Sequence, residues 1–191
     1  MKKSIVLLLI ALALVALIVA ASVLYSNLKD SVKTSSLTVS ATKPSTDSQE
    51  EAPQNPAPNF KVYDKEGNHI RLSYYEGKPV VLNFWASWCG PCQSEMPAFQ
   101  EKYEQYGQDI QFLMVNMTTG RETKESALDF LAGTDYTFPV YFDTDMDAAM
   151  AYSVYSLPTT YFIDKEGNII AYAAGALDAE TLQQGIDMIL P

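Results

Sequence analysis

Trp88-Cys89-Gly90-Pro91-Cys92 constrains this chain more than any other stretch. It follows an apolar run, residues 80–85, precedes a segment with helical spacing, and holds both cysteines of the 191-residue sequence. Two intervening residues let the second sulfur reach the first, so the pair can open and close as a disulfide. At a helix start, unpaired backbone N–H groups and the positive end of the helix dipole stabilise a thiolate at Cys89. Pro91 suits the first turn, where its missing N–H costs nothing.

Other uses of two cysteines fit less well. A structural disulfide stabilises mainly by closing a long loop in the unfolded chain, and this loop is as short as such loops get. Zinc wants four ligands, whereas the sequence adds a single histidine, His69, and no further cysteine. Haem attachment wants histidine after the second cysteine, where Gln93 stands. The pair therefore reads as a redox site, with no metal and no cofactor beyond the Cys89–Cys92 disulfide itself.

Lys2 and Lys3 precede the apolar run 4–24, long enough for a helix to cross the hydrocarbon core. A cleaved signal usually has a shorter apolar region, about 7–15 residues. Length thus favours an anchor over residues 1–25, and the two lysines favour a cytoplasmic N-terminus with the remainder outside. Cleavage at Ala20-Ala21-Ser22, giving a secreted protein, is the alternative. Residues 26–58 are rich in Ser, Thr, Pro, Gln and Asn, too polar to offset the entropy of ordering, and read as a flexible linker. The formal net charge of −10 falls after that linker and argues against nucleic acid as a partner.

The folded domain is expected over residues 59–191. Residues 60–63 and 69–72 flank the turn cluster Asp64-Lys65-Glu66-Gly67-Asn68, a hairpin signal. The run 80–85 predicts a strand covered on both faces. From Pro91, Cys92, Met96, Phe99 and Tyr103 recur at helical spacing to about residue 106, with Pro97 inside the helix. A strand at 110–115, a polar loop at 116–120 and a helix at 122–131 follow, with Ala127, Leu128 and Leu131 inward. A strand at 138–142 and a short helix at 146–152 come next. A second hairpin, 159–163 and 169–172, repeats the turn Asp-Lys-Glu-Gly-Asn, and a helix over 178–190 closes the chain with Leu182, Ile186 and Ile189 inward. The order predicts an α/β sandwich: a central mixed sheet flanked by helices, with an N-terminal β-hairpin.

Asn83-Phe84-Trp85-Ala86-Ser87-Trp88-Cys89-Gly90-Pro91-Cys92 with Glu95-Met96-Pro97, and then Leu157-Pro158-Thr159-Thr160-Tyr161-Phe162-Ile163-Asp164, resemble the membrane-anchored TlpA/ResA-like branch of the thioredoxin superfamily. The likeness runs from about residue 59 to the C-terminus. It implies a thioredoxin-like fold and a thiol–disulfide oxidoreductase outside the cytoplasmic membrane. It further implies reduction of disulfides in exported proteins, including apocytochrome c thiols before haem attachment, with electrons from an integral membrane thiol carrier. Gly90-Pro91 is the dipeptide of general thioredoxins, which leaves the substrate class open.

The resemblance makes Pro158 a cis-proline facing the cysteines, with Leu157 presenting its main chain to an incoming peptide. Glu95 falls three residues after Cys92 on the apolar stripe, where burial raises a carboxyl pKa and suits it to exchange a proton with a cysteine. Asn83 stands where many cytoplasmic thioredoxins carry a buried aspartate, so proton handling passes to Glu95. In the expected mechanism a solvent-open Cys89 attacks, Cys92 resolves, and Trp88, Gly90 and Pro91 border the docking surface. An oxidase or isomerase on the same fold, and a tethered binding module without catalysis, are the rival readings. A peroxidase fits poorly, because Ala86 stands where a threonine or serine is expected.

Overall fold

The computed structural model describes residues 37–39 and 55–190. The apolar run 4–24 lies outside them. Among the described residues no helix is long and apolar enough to cross a membrane.

Among the described residues eight strands form one mixed sheet: β1 (Thr38–Val39), β2 (Lys61–Tyr63), β3 (His69–Arg71), β4 (Val80–Trp85), β5 (Gln111–Asn116), β6 (Val140–Phe142), β7 (Thr159–Ile163) and β8 (Ile169–Ala174), in the order β1-β8-β7-β4-β5-β6-β2-β3. β4, β5 and β6 run parallel, and every other pairing is antiparallel. The α-helices of the described residues pack on the sheet: α1 (Gly90–Tyr106), α2 (Lys124–Ala132), α3 (Asp147–Ala151) and α4 (Ala179–Ile189). The expected mixed α/β architecture with its leading hairpin is what forms.

Alternation along the central strands divides the core in two. Val81 and Trp85 of β4, Phe112 and Met114 of β5 and Phe162 of β7 meet Met96 and Phe99 of α1 and Leu182, Ile186 and Ile189 of α4. Leu82, Phe84, Leu113, Val115 and Ile163 face the other way, onto Phe60, Val62, Ala148 and Tyr152. A polar residue in phase with Val81 or Phe112 is therefore delivered to the face that carries α1. Asn83 and Asn116 are in that phase, and both are fully buried.

The two hairpin turns share their chemistry. Asp64 Oδ1 accepts from the Asn68 N–H at 2.8 Å and Asp164 Oδ1 from the Asn168 N–H at 2.7 Å. Gly67 and Gly167 take φ of 90° and 83°, a left-handed conformation that only glycine adopts cheaply.

Three local details differ from the sequence reading. The helix expected from residue 122 starts at Lys124, because Thr123 and Ser126 form a capping box and Glu122 turns inward ahead of it. Leu128 is exposed rather than inward: Ala127 is the buried residue of α2, with Phe130 and Leu131 packed beside it, and Leu128 is turned off that stripe. Within the stretch read as a linker, Thr38 and Val39 pair with Tyr172 and Ala171 of β8, and the Ala57 N–H donates to the Gly167 carbonyl. Residues 26–36 and 40–54 lie outside the described residues.

Candidate functional site

The parallel strand β4 ends at Trp85, and the chain turns through Ala86, Ser87 and Trp88 into α1. Cys89 is the N-cap of that helix, in extended conformation, and its Sγ accepts from the Cys92 N–H at 3.2 Å. Cys89 and Cys92 are joined as a disulfide, with Cα atoms 5.2 Å apart. The N–H aimed at Cys89 Sγ is one of the orphan donors of a helix start, placed to stabilise a thiolate once the bond opens. Cys92 is fully buried. Cys89 is only 4% exposed, which corrects the expectation of a solvent-open sulfur: the disulfide draws it back over the first turn and into the α1-side cluster. Gly90, Pro91 and Trp88 are exposed around it, the indole by 46%.

Helical geometry puts Glu95 on the face of α1 that also carries Cys92 and Met96, and Glu95 is 2% exposed. Its Oε1 accepts from the Asn83 amide at 2.8 Å and its Oε2 from the Leu177 N–H at 2.9 Å. The Asn83 amide nitrogen also donates to Thr160 Oγ1 at 3.0 Å, as the register Asn83↔Thr160 between β4 and β7 requires. Among the described residues Asn83 Oδ1 has no hydrogen-bond partner. Burial pushes the Glu95 carboxyl up to about 8 against the two hydrogen bonds, which favour its ionised form. Glu95 is thus a buried acid poised to hold or release a proton near neutral pH.

The Leu157–Pro158 peptide is cis. Pro158 is buried and its carbonyl accepts from the Gly175 N–H at 2.8 Å, while half-buried Leu157 packs against both core clusters. Trp88, Met117, Val154, Tyr155, Ser156 and Leu157 line one open groove of about 330 Å³. Among the described residues no group of three or more His, Cys, Asp or Glu side chains is arranged to hold a metal ion. His69 packs edge-on against Tyr63 on the first hairpin, as part of that hairpin.

The sequence reading missed a second buried carboxylate. Glu122, 3% exposed, accepts through Oε1 from the Ser87 N–H at 2.9 Å and the Asn116 amide at 2.8 Å, and through Oε2 from the Ser87 hydroxyl at 2.9 Å. It ties the loop after β5 to the residue just before Trp88. The adjacent Arg121 lays its guanidinium over the Trp88 ring, 3.7 Å from the centroid. The available signal was the alternation of β5, which aims Asn116 at the α1 side.

Comparison with known proteins agrees with this geometry. Residues 53–172 match the model of the AhpC/TSA family. Thiol-disulfide oxidoreductase ResA of Geobacillus kaustophilus is 39% identical over 136 residues, spanning 71% of this chain and 76% of that protein. ResA of Bacillus subtilis is 35% identical over 71% of this chain and 74% of its own length. The crystal structure of StoA from Bacillus subtilis superposes with a TM-score of 0.60 at 28% identity, covering 70% of this chain and 99% of that one.

Proposed function

The chain belongs to the AhpC/TSA family and is a thiol–disulfide oxidoreductase of the ResA/TlpA-like kind, and from that premise we propose that it reduces disulfides in exported proteins. The observation that carries this reading is the buried, proton-holding Glu95 three residues beyond Cys92. In the reduced form Cys89 attacks one sulfur of a substrate disulfide, forming a mixed disulfide and expelling the other substrate sulfur as a thiolate. Cys92 then passes its proton to the Glu95 carboxylate and attacks Cys89 Sγ. The substrate's second thiolate leaves and both substrate thiolates take up protons, so the substrate disulfide gains the two electrons that Cys89 and Cys92 lose in forming theirs. Trp88, Gly90 and Pro91 border the approach. Leu157 offers main chain beside Pro158, as an edge strand would.

With a carboxyl pKa of about 8, roughly one Glu95 in ten is ionised at pH 7 and half at pH 8. The resolving step therefore accelerates between about pH 7 and 9 in the wild type, and Glu95→Gln removes that rise. Stopped-flow measurement of mixed-disulfide resolution across this range checks it, and an identical profile in both proteins would remove Glu95 from the mechanism. Cys92→Ser in the full chain traps substrate on Cys89. Trapping by Cys89→Ser in its place reverses the two roles.

The location in this proposal is outside the cytoplasmic membrane, with residues 1–25 as a single-pass anchor and the N-terminus inside, or secreted after cleavage. Lys2, Lys3 and the run 4–24 support it. Electrons would then come from an integral membrane thiol carrier, and apocytochrome c thiols before haem attachment would be among the substrates. A reduction potential near about −270 mV supports the reductase direction, whereas one near about −120 mV makes the protein an oxidase.

A further inference from the structure

Trp88, which precedes Cys89 in the chain, lines the groove and carries the Arg121 guanidinium over its ring. A guanidinium stacked on a ring face keeps its in-plane N–H donors available to a carboxylate. Arg121 is exposed, and among the described residues it forms no ion pair. Its neighbour Glu122 does not neutralise it, because both Glu122 oxygens are held inward by Ser87 and Asn116. The same contacts hold the pair in place, since Glu122 is next to Arg121 in sequence and Ser87 is next to Trp88. A cation thus rests on the residue that precedes Cys89, in a chain whose net charge is −10. The floor next to it is apolar and aromatic: Met117, Val154, Leu157 and Tyr155, the last 94% exposed.

We propose that Arg121, stacked on Trp88, selects substrate disulfides whose cysteine is flanked by an acidic residue. A segment that brings its sulfur to Cys89 crosses the groove, lays an apolar or aromatic residue against Tyr155 and Met117, and places a neighbouring carboxylate on the guanidinium. Arginine accepts a carboxylate through two parallel N–H donors, which fixes orientation as well as sign. The domain carries an excess of acidic residues, so a carboxylate placed on Arg121 helps to set the register of the substrate. The inference rests on the disulfide-reductase reading given above.

The test uses the full-length chain in detergent, recycled with a dithiol reductant, and three cyclic peptides alike except for Glu, Gln or Lys beside one cysteine of a single disulfide. The expected order of kcat/KM is Glu above Gln above Lys, spanning about tenfold at low ionic strength and closing towards equality at high salt. Arg121→Gln brings the span to about twofold or less, Arg121→Lys keeps part of it, and Arg121→Glu reverses the order. Equal values for the three peptides with the wild type, or an order unchanged in Arg121→Glu, overturn the inference and leave the reductase reading standing. No turnover of even the Gln peptide overturns the reductase reading itself, and this inference with it.

Discussion

Glu95 and Glu122 are built alike and work differently. Both are almost fully buried, and each receives an asparagine amide from the α1-facing side of a core strand, Asn83 of β4 or Asn116 of β5. Each also binds a main-chain N–H from a loop, Leu177 or Ser87. Glu122 collects one donor more, the Ser87 hydroxyl, and sits ahead of α2, away from the cysteines in sequence. Glu95 collects two, shares a helix face with Cys92, and is held up to about 8 because burial outweighs those donors. One folding device, an asparagine placed by strand alternation, thus serves a carboxylate that clamps a loop in one case and a carboxyl on the helix face of Cys92 in the other.

The largest effect is expected in stability against pH, through Glu95. A carboxyl raised to about 8 when folded, against about 4.5 unfolded, favours the folded state fully below pH 4.5. That contribution is lost as pH rises through about 8. The wild type should lose on the order of 4 kcal/mol over this window, and Glu95→Gln should remove most of that slope. Urea unfolding at pH 5, 7 and 9 measures both. A smaller effect, about 3 kcal/mol, is expected for Glu122→Ala at any of these pH values, because it strands the Ser87 N–H and the Asn116 amide in the interior. Glu122→Gln should restore part of it, and a loss under about 0.5 kcal/mol for the alanine variant would show that the clamp is not holding the loop. Smallest of the three, Thr160→Val removes one acceptor of the Asn83 amide and should cost about 1 kcal/mol, read from the same unfolding curves.

Local chemistry made much of this legible in the sequence. The run 80–85, the two Asp-Lys-Glu-Gly-Asn turns and the Cys89–Cys92 spacing each specify their structure over a few residues. Glu95 was readable because three residues along a helix is a fixed geometry. Long-range placements were not. The pairing of Asn83 with Thr160 spans 77 positions, and nothing near either residue announces it. Glu122 looked like an ordinary acid of a first helical turn until Thr123 and Ser126 took the cap. The Arg121–Trp88 stack joins two loops that follow neighbouring parallel strands. Thr38 and Val39 form a strand too short and too polar in its surroundings to stand out, and they hold by pairing with β8. The cis geometry before Pro158 was carried by the family resemblance, because a proline at a strand start is otherwise ordinary.

The proton on Glu95 can be observed directly. Infrared difference spectra of the oxidised wild type minus Glu95→Gln isolate one carboxyl C=O band, and that band titrated against pH should vanish with a midpoint near 8. A midpoint near 4.5, with the band already gone at neutral pH, would mean that Glu95 carries no proton to exchange with Cys92.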